Sequence, residues 1–249
     1  MNIETYGHGE RLAVARRLVA TLGAEHTVLL PVPSSKDNKC VSGTDILLSD
    51  TLVNVKEGSV VVGYSLPARY KERAESLGAR ILDLSEDGKF MLENANITAV
   101  GTLSYILSTE KSIPRDKTFG IFGYGRIGKE LLRILVFFGA RVRVYTSKKD
   151  TCIELGKAGI ECEYTEYDGL AKDFSEIDIL INTAPTDMSA SFPMGKVGEG
   201  MRVLEVASGK NFVGVEGVEY LPALPEKMYP ESAGYSYFNA VKEFLGGVK

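Results

Sequence analysis

Three glycines at the spacing G-x-G-x-x-G, Gly123, Gly125 and Gly128, lie in the stretch FGIFGYGRIG. Placed between a strand and a helix, this pattern holds the pyrophosphate of a dinucleotide. Gly123 lets the chain turn sharply, Gly125 clears the backbone for phosphate, and Gly128 lets the following helix pack close to the sheet. Tyr124, Arg126 and Ile127 complete the turn. The amides of Arg126 and Ile127 would open the helix, where unbonded N–H groups and the helix dipole favour negative charge.

The next strand should say which dinucleotide. NAD sites usually place an acidic side chain about 20 residues on, against the ribose hydroxyls. Here the strand ends VYTSKK, with Thr146 at the acidic position and Ser147, Lys148 and Lys149 behind it. Nothing there repels a 2′-phosphate, and two hydroxyls and two cations can bind one. The sequence therefore favours NADP, with NAD as the alternative. The competing reading of SKKD is a solvated helix start. Two further strand ends, LINTAP and EVASG, read equally as ordinary strand-to-loop turns or as the border of the same crevice, which would bring Asn182, Thr183, Ala184, Pro185 and Ala207 to the nicotinamide side.

Other reactive residue types are few. The loop PVPSSKDNK (31–39) gathers hydroxyls and two lysines, and reads equally as a substrate loop or a plain surface turn. Acid–base candidates are Lys36, Tyr124, Glu231 and Tyr235. The only histidines are His8 and His26, which argues against a histidine-based metal site and against a histidine–carboxylate pair beside the nicotinamide. Gly7–His8–Gly9 reads as a helix start or as a degenerate phosphate turn. Cys40, Cys152 and Cys162 are three cysteines without regular spacing, which argues against a disulfide framework and for a reducing compartment. A formal net charge of −4 argues against a general nucleic-acid binder. The charged N-terminus is unlike a signal peptide and no long apolar run occurs, so a cytoplasmic protein is expected.

These residues need a frame to hold them. Strands are expected at 26–32, 59–64, 79–84, 118–123, 141–146, 177–184, 202–208 and 218–224, with helices near 8–22, 67–78, 89–110, 126–138, 149–158 and 232–245. Ile127, Leu131, Ile134, Leu135 and Phe138 give the fourth helix its apolar face, and Gly139 ends it. The alternation predicts an α/β fold of two Rossmann-like lobes with mainly parallel sheets. The polar segment EKSIPRDKT (110–118) and the stretch PEKMYPESAG (225–234) suggest the divisions. Residues 1–112 would form a substrate-side lobe and 113–228 the dinucleotide-binding domain. Residues 229–249 would form a C-terminal helix that crosses back to the first lobe.

The blocks NANITAVGT, GIFGYGRIGKELLRILVFFGARVRVYTS, DILINTAP, VLEVASG and LPALPEKMYPESAG together resemble the A-subunit family of dipicolinate synthase. More distantly they resemble the NAD-binding domain of D-2-hydroxyacid dehydrogenases. The resemblance implies an NAD(P)-dependent oxidoreductase that oxidises a dihydrodipicolinate-type precursor to dipicolinate during sporulation, alongside a flavoprotein-like B subunit. It implies that Ser34, Ser35 and Lys36 face the substrate, together with Asn94, Thr98 and Ser232. The family pattern has glutamate at Val100 and lysine at Glu231, and its loop after the EVAS block is shortened here to GKNF (209–212). Two alternatives remain. One is another 2-hydroxyacid-type dehydrogenase on a small carboxylate; the other is a dinucleotide-binding sensor or partner subunit that is catalytically inactive. Proteins of this two-lobe kind are expected to form a homo-oligomer.

Overall fold

The computed structural model describes residues 3–23, 26–165, 174–189, 192, 197 and 199–246. The chain divides into two compact units, Met1–Asn94 with Pro225–Lys249, and Ala95–Leu224.

In the first unit, β1 (Ile3–Thr5), β2 (Thr27–Leu29), β3 (Val60–Gly63) and β4 (Arg80–Asp83) pair in parallel in that spatial order. Successive side chains point to opposite faces of a strand. Leu29, Val60, Val62 and Leu82 meet Leu12, Ala15 and Val19 of α1 (Glu10–Val19), Phe90 of α3 (Gly88–Thr109), and Tyr237 and Val241 of α7 (Pro230–Gly246). Val28, Leu30 and Val61 meet Leu48 and Leu52 of a 3-10 turn, and Tyr70 and Ala74 of α2 (Ala68–Ser76). Burial on both faces is why β2 and β3 read as apolar runs rather than as an alternation. The final helix does return to the first unit. A Cβ at Gly234 would collide with Val14, so α7 lies directly on α1. The Tyr237 hydroxyl donates to the carbonyls of Leu30 (3.0 Å) and Val62 (3.3 Å).

In the second unit all six strands are parallel: β5 (Thr118–Phe122), β6 (Arg141–Thr146), β7 (Glu161–Tyr164), β8 (Ile179–Asn182), β9 (Arg202–Glu205) and β10 (Val218–Tyr220). Their spatial order is β10-β9-β8-β5-β6-β7. The chain starts in the middle, builds outward on one side, then returns to build on the other, so the order reverses between β5 and β8. One sheet face packs Phe119, Ile121, Val144 and Ile181 on Leu131 and Leu135 of α4 (Arg126–Phe137), Leu155 of α5 (Lys149–Lys157), and Ala99, Leu103 and Ile106 of α3. The other packs Phe122, Tyr145, Leu180 and Val203 on Met188, Phe192 and Phe212.

Several expectations are corrected. The units divide inside α3 and at Leu224/Pro225, not at 112/113 and 228/229. The reason is that α3 runs on as one helix while Phe90 serves the first core and Ala99, Leu103 and Ile106 the second. Strands β1 and β7 and the short helix α6 (Leu224–Met228) were not expected. β1 and β7 are edge strands of three and four residues with little apolar signal. Phe138 is 44% exposed rather than buried. Cys152 and Cys162 form a disulfide, because α5 turns back at Gly159 and lays its residues beside β7. Cys40 is free. No helix among the described residues is long and apolar enough to cross a membrane.

Candidate functional site

The glycine turn leaves the C-terminal end of β5, beside β8, where the strand order reverses. In open α/β sheets that is where a ligand crevice forms. Each glycine has its own reason to be there. Gly123 has φ 93°, a left-handed conformation, and a Cβ on it would press on Thr183 Oγ1 at 2.8 Å. A Cβ on Gly128 would collide with the carbonyl of Gly123. A Cβ on Gly125 would meet nothing within 4 Å. Thus two glycines close the turn and the third leaves an open face over the start of α4. No side chain caps α4 and no acidic residue occupies its first turn. Arg126 stands exposed at its first position. Uncapped amides, an open face and a cation together fit a dinucleotide pyrophosphate.

Around this cradle the cofactor residues expected from sequence gather within one unit. Thr183 braces the turn, its hydroxyl donating to the carbonyls of Phe122 (3.0 Å) and Gly123 (3.1 Å). Ala184 is buried beside it and Pro185 is exposed. At the end of β6, Thr146 is 3% exposed and its Oγ1 accepts the amide of Lys148 at 3.3 Å, so it shapes the loop from inside. Ser147, Lys148 and Lys149 are exposed. The Lys149 Nζ lies 4.8 Å from the centre of the Tyr164 ring, a cation–π contact tying α5 to β7. The Cys152–Cys162 disulfide makes the same connection. Tyr124 is half-buried, with Lys129 Nζ 5.5 Å from the centre of its ring.

Asn182 is corrected. It is fully buried, and its amide donates to Glu205 Oε2 (3.0 Å), Glu205 Oε1 (3.2 Å) and the carbonyl of Ala184 (3.0 Å). Glu205 in turn accepts the amide of Ala207 at 2.8 Å. Burial pushes the Glu205 carboxyl up, against the opposing pull of Asn182 and the Ala207 amide. This pair latches the ends of β8 and β9 and sets where Ala184, Pro185 and Ala207 stand. Sequence reasoning missed it, although both residues are polar ends of otherwise apolar strands.

The expected substrate residues divide. Ser34 is fully buried rather than presented: its hydroxyl donates to the Pro31 carbonyl (3.1 Å) and accepts the Tyr64 amide (2.7 Å). Ser35 donates to the Cys40 carbonyl at 2.6 Å. Lys36 is exposed. Asn94 Oδ1 accepts from Arg11 Nη2 at 3.0 Å. Thr98 is buried in the second unit. Ser232 is exposed on α7, and its neighbour Glu231 pairs with Arg17 at 3.0 Å. Tyr235 is half exposed. His26 is committed to structure, facing Ser59 Oγ and Glu4 Oε1 at 3.1 Å each. Among the described residues no group of three His, Cys, Asp or Glu side chains could hold a metal ion.

Residues 105–192 match the family described as D-isomer specific 2-hydroxyacid dehydrogenase, NAD binding domain. No match was found among curated proteins. Among solved structures, the A subunit of dipicolinate synthase from Bacillus halodurans is 18% identical over 98% of this chain and 97% of its own, with a TM-score of 0.75. The A chain of dipicolinate synthase from Bacillus subtilis is 19% identical over 99% and 96%, with a TM-score of 0.76. The D-lactate dehydrogenase of Escherichia coli is 14% identical over 100% and 98%, with a TM-score of 0.54. At these identities the likeness is one of fold, and it extends over both units.

Proposed function

We propose that the chain is an NADP-preferring oxidoreductase acting on a small carboxylate, of the type of the dipicolinate synthase A-subunit family. The observation that carries this reading is the open, uncapped glycine cradle at the point where the second sheet reverses its order. In this reading the amides of Arg126 and Ile127 hold the pyrophosphate. Ser147 and Lys148 take the 2′-phosphate, with Thr146 fixing their loop. Ala184, Pro185 and Ala207 border the nicotinamide. The bound cofactor supplies hydride transfer; the chain's own work is to orient it and exclude competing chemistry. His26 is held by Ser59 and Glu4, so proton handling is assigned to another group, and Lys36, exposed in the loop after β2, is the candidate. Oxidation of a dihydropyridine dicarboxylate suits such a site, because aromatisation drives it without a strong base. A flavoprotein-like second subunit, self-association and a cytoplasmic setting belong to the same proposal.

Titration with NADPH and NADH, followed by nicotinamide fluorescence, tests it. NADPH should bind more tightly, and Lys148→Ala should weaken NADPH about tenfold while sparing NADH, the size of one lost charge-assisted hydrogen bond. Equal affinity for both would overturn the NADP assignment. Binding of neither would overturn the oxidoreductase reading.

A further inference from the structure

Among the described residues Arg11 is the one charged side chain with buried polar atoms that have no partner. It is 5% exposed, yet among the described residues only its Nη2 has a partner, Asn94; Nε and Nη1 are buried without one. Buried guanidinium groups ordinarily satisfy their donors, because an unpaired one carries a large desolvation penalty. Arg11 lines a narrow cleft with His8, Leu12, Pro31, Glu226 and Tyr237. The cleft sits beyond the C-terminal ends of β1 and β2, against the start of α1. That helix is capped by Gly9 alone (φ 128°), so no side chain bonds its leading amides. A Cβ on Gly9 would collide with Glu226 Oε1, so the chain's own carboxylate rests on the mouth of an anion-favouring helix end. The Glu226 charge favours the Arg11 guanidinium from across the cleft, but among the described residues the two form no ion pair within 4 Å. The cleft is too narrow to admit a water molecule.

We propose that Arg11 and the N-terminus of α1 form a carboxylate-binding site, and that Glu226 is a built-in stand-in which an incoming carboxylate displaces. The ligand would complete the two Arg11 donors and the helix amides that Glu226 approaches without bonding. Glu226 is carried on α6, five residues long and preceded by Ala223 at φ 58°, so a small segment has to yield. The proposal deepens the functional reading by giving the substrate's carboxylate a residue, and it lies wholly in the first unit.

The experiment is calorimetric titration, without any nucleotide, using pyridine-2,6-dicarboxylate and malonate, with uncharged pyridine as control. Both anions should bind, and Glu226→Gln should bind them about tenfold more tightly, since a competing charge is gone. Arg11→Gln in the Glu226→Gln background should remove that gain, with urea unfolding to confirm that the double variant is folded. No binding to either protein, or affinity unchanged or weakened in Glu226→Gln, would overturn the proposal. An unchanged affinity with lowered stability would make Glu226 a helix cap only. A nucleotide titration run separately keeps failure of this site distinct from failure of the cofactor site.

Discussion

Gly125→Ala and Gly128→Ala, three residues apart in one turn, should fail in opposite ways. At Gly125 the backbone has φ −81° and ψ −162°, which alanine adopts freely, and its Cβ would enter open space. Alanine lowers unfolded-chain entropy, worth about 0.4–1 kcal/mol. It is also a poorer N-cap than glycine by a similar amount, so stability should change by less than about 0.5 kcal/mol. The new methyl would stand where the pyrophosphate must approach. Losing one charged hydrogen bond to the backbone costs about 1.5–3 kcal/mol, a tenfold to hundredfold loss of dinucleotide affinity. At Gly128 the Cβ would strike the carbonyl of Gly123, which is backbone and has nowhere to go. Overpacking of that kind costs about 1–3 kcal/mol, more than the gain of about 1 kcal/mol from helix propensity. Urea unfolding and NADPH titration on both variants separate these effects. Full dinucleotide affinity in Gly125→Ala would refute the reasoning, because the phosphates would then lie elsewhere. Unchanged stability in Gly128→Ala would refute the packing argument.

Two further perturbations probe the frame. Burial alone would raise the Asp83 carboxyl, but Lys71 at 2.8 Å, the Ser85 hydroxyl and the amides of Leu66 and Ser85 outweigh it and bring it down to about 2. A depressed acid pKa stabilises the fold above the unfolded value near 4, and that contribution, about 2 kcal/mol, is lost as pH falls from about 4 to 2. Asp83→Asn should be less stable at pH 7 and should lack that acid-limb loss in urea unfolding; an identical acid limb in both proteins would count against the assignment. The Cys152–Cys162 bond closes a short loop, with a sequence separation of 10. Its reduction should cost about 2–3 kcal/mol in the chain-entropy account, read as a lower unfolding midpoint in dithiothreitol. A midpoint unmoved by reductant, in a protein whose free-thiol count rises from one to three, would show that the link carries no stability.

Local and periodic features were readable from the chain alone. The glycine spacing, its strand before and amphipathic helix after, and the missing acid at Thr146 are all properties of neighbouring residues, and the βαβ unit around Gly123 could be read from them. The inner strands of both sheets were legible because burial on two faces leaves unbroken runs such as Val60–Val62, whereas the short edge strands β1 and β7 carry no such run. The return of the final helix to the first unit was expected, but the side-chain pairings between residues distant in the chain needed the folded molecule. Asn182 and Glu205 look like strand ends until β8 and β9 lie side by side and the two side chains bond. Ser34 looks like a presented hydroxyl until the Tyr64 amide arrives from the next strand to take it. The disulfide depends on the turn at Gly159 bringing α5 back along β7. Arg11 reads as one more charge on a polar helix, and only the return of the final segment, with Glu226 and Tyr237, buries it and leaves two donors unanswered. Local pattern specifies which surface each element must bury; which polar groups are then trapped together depends on the fold closing over them.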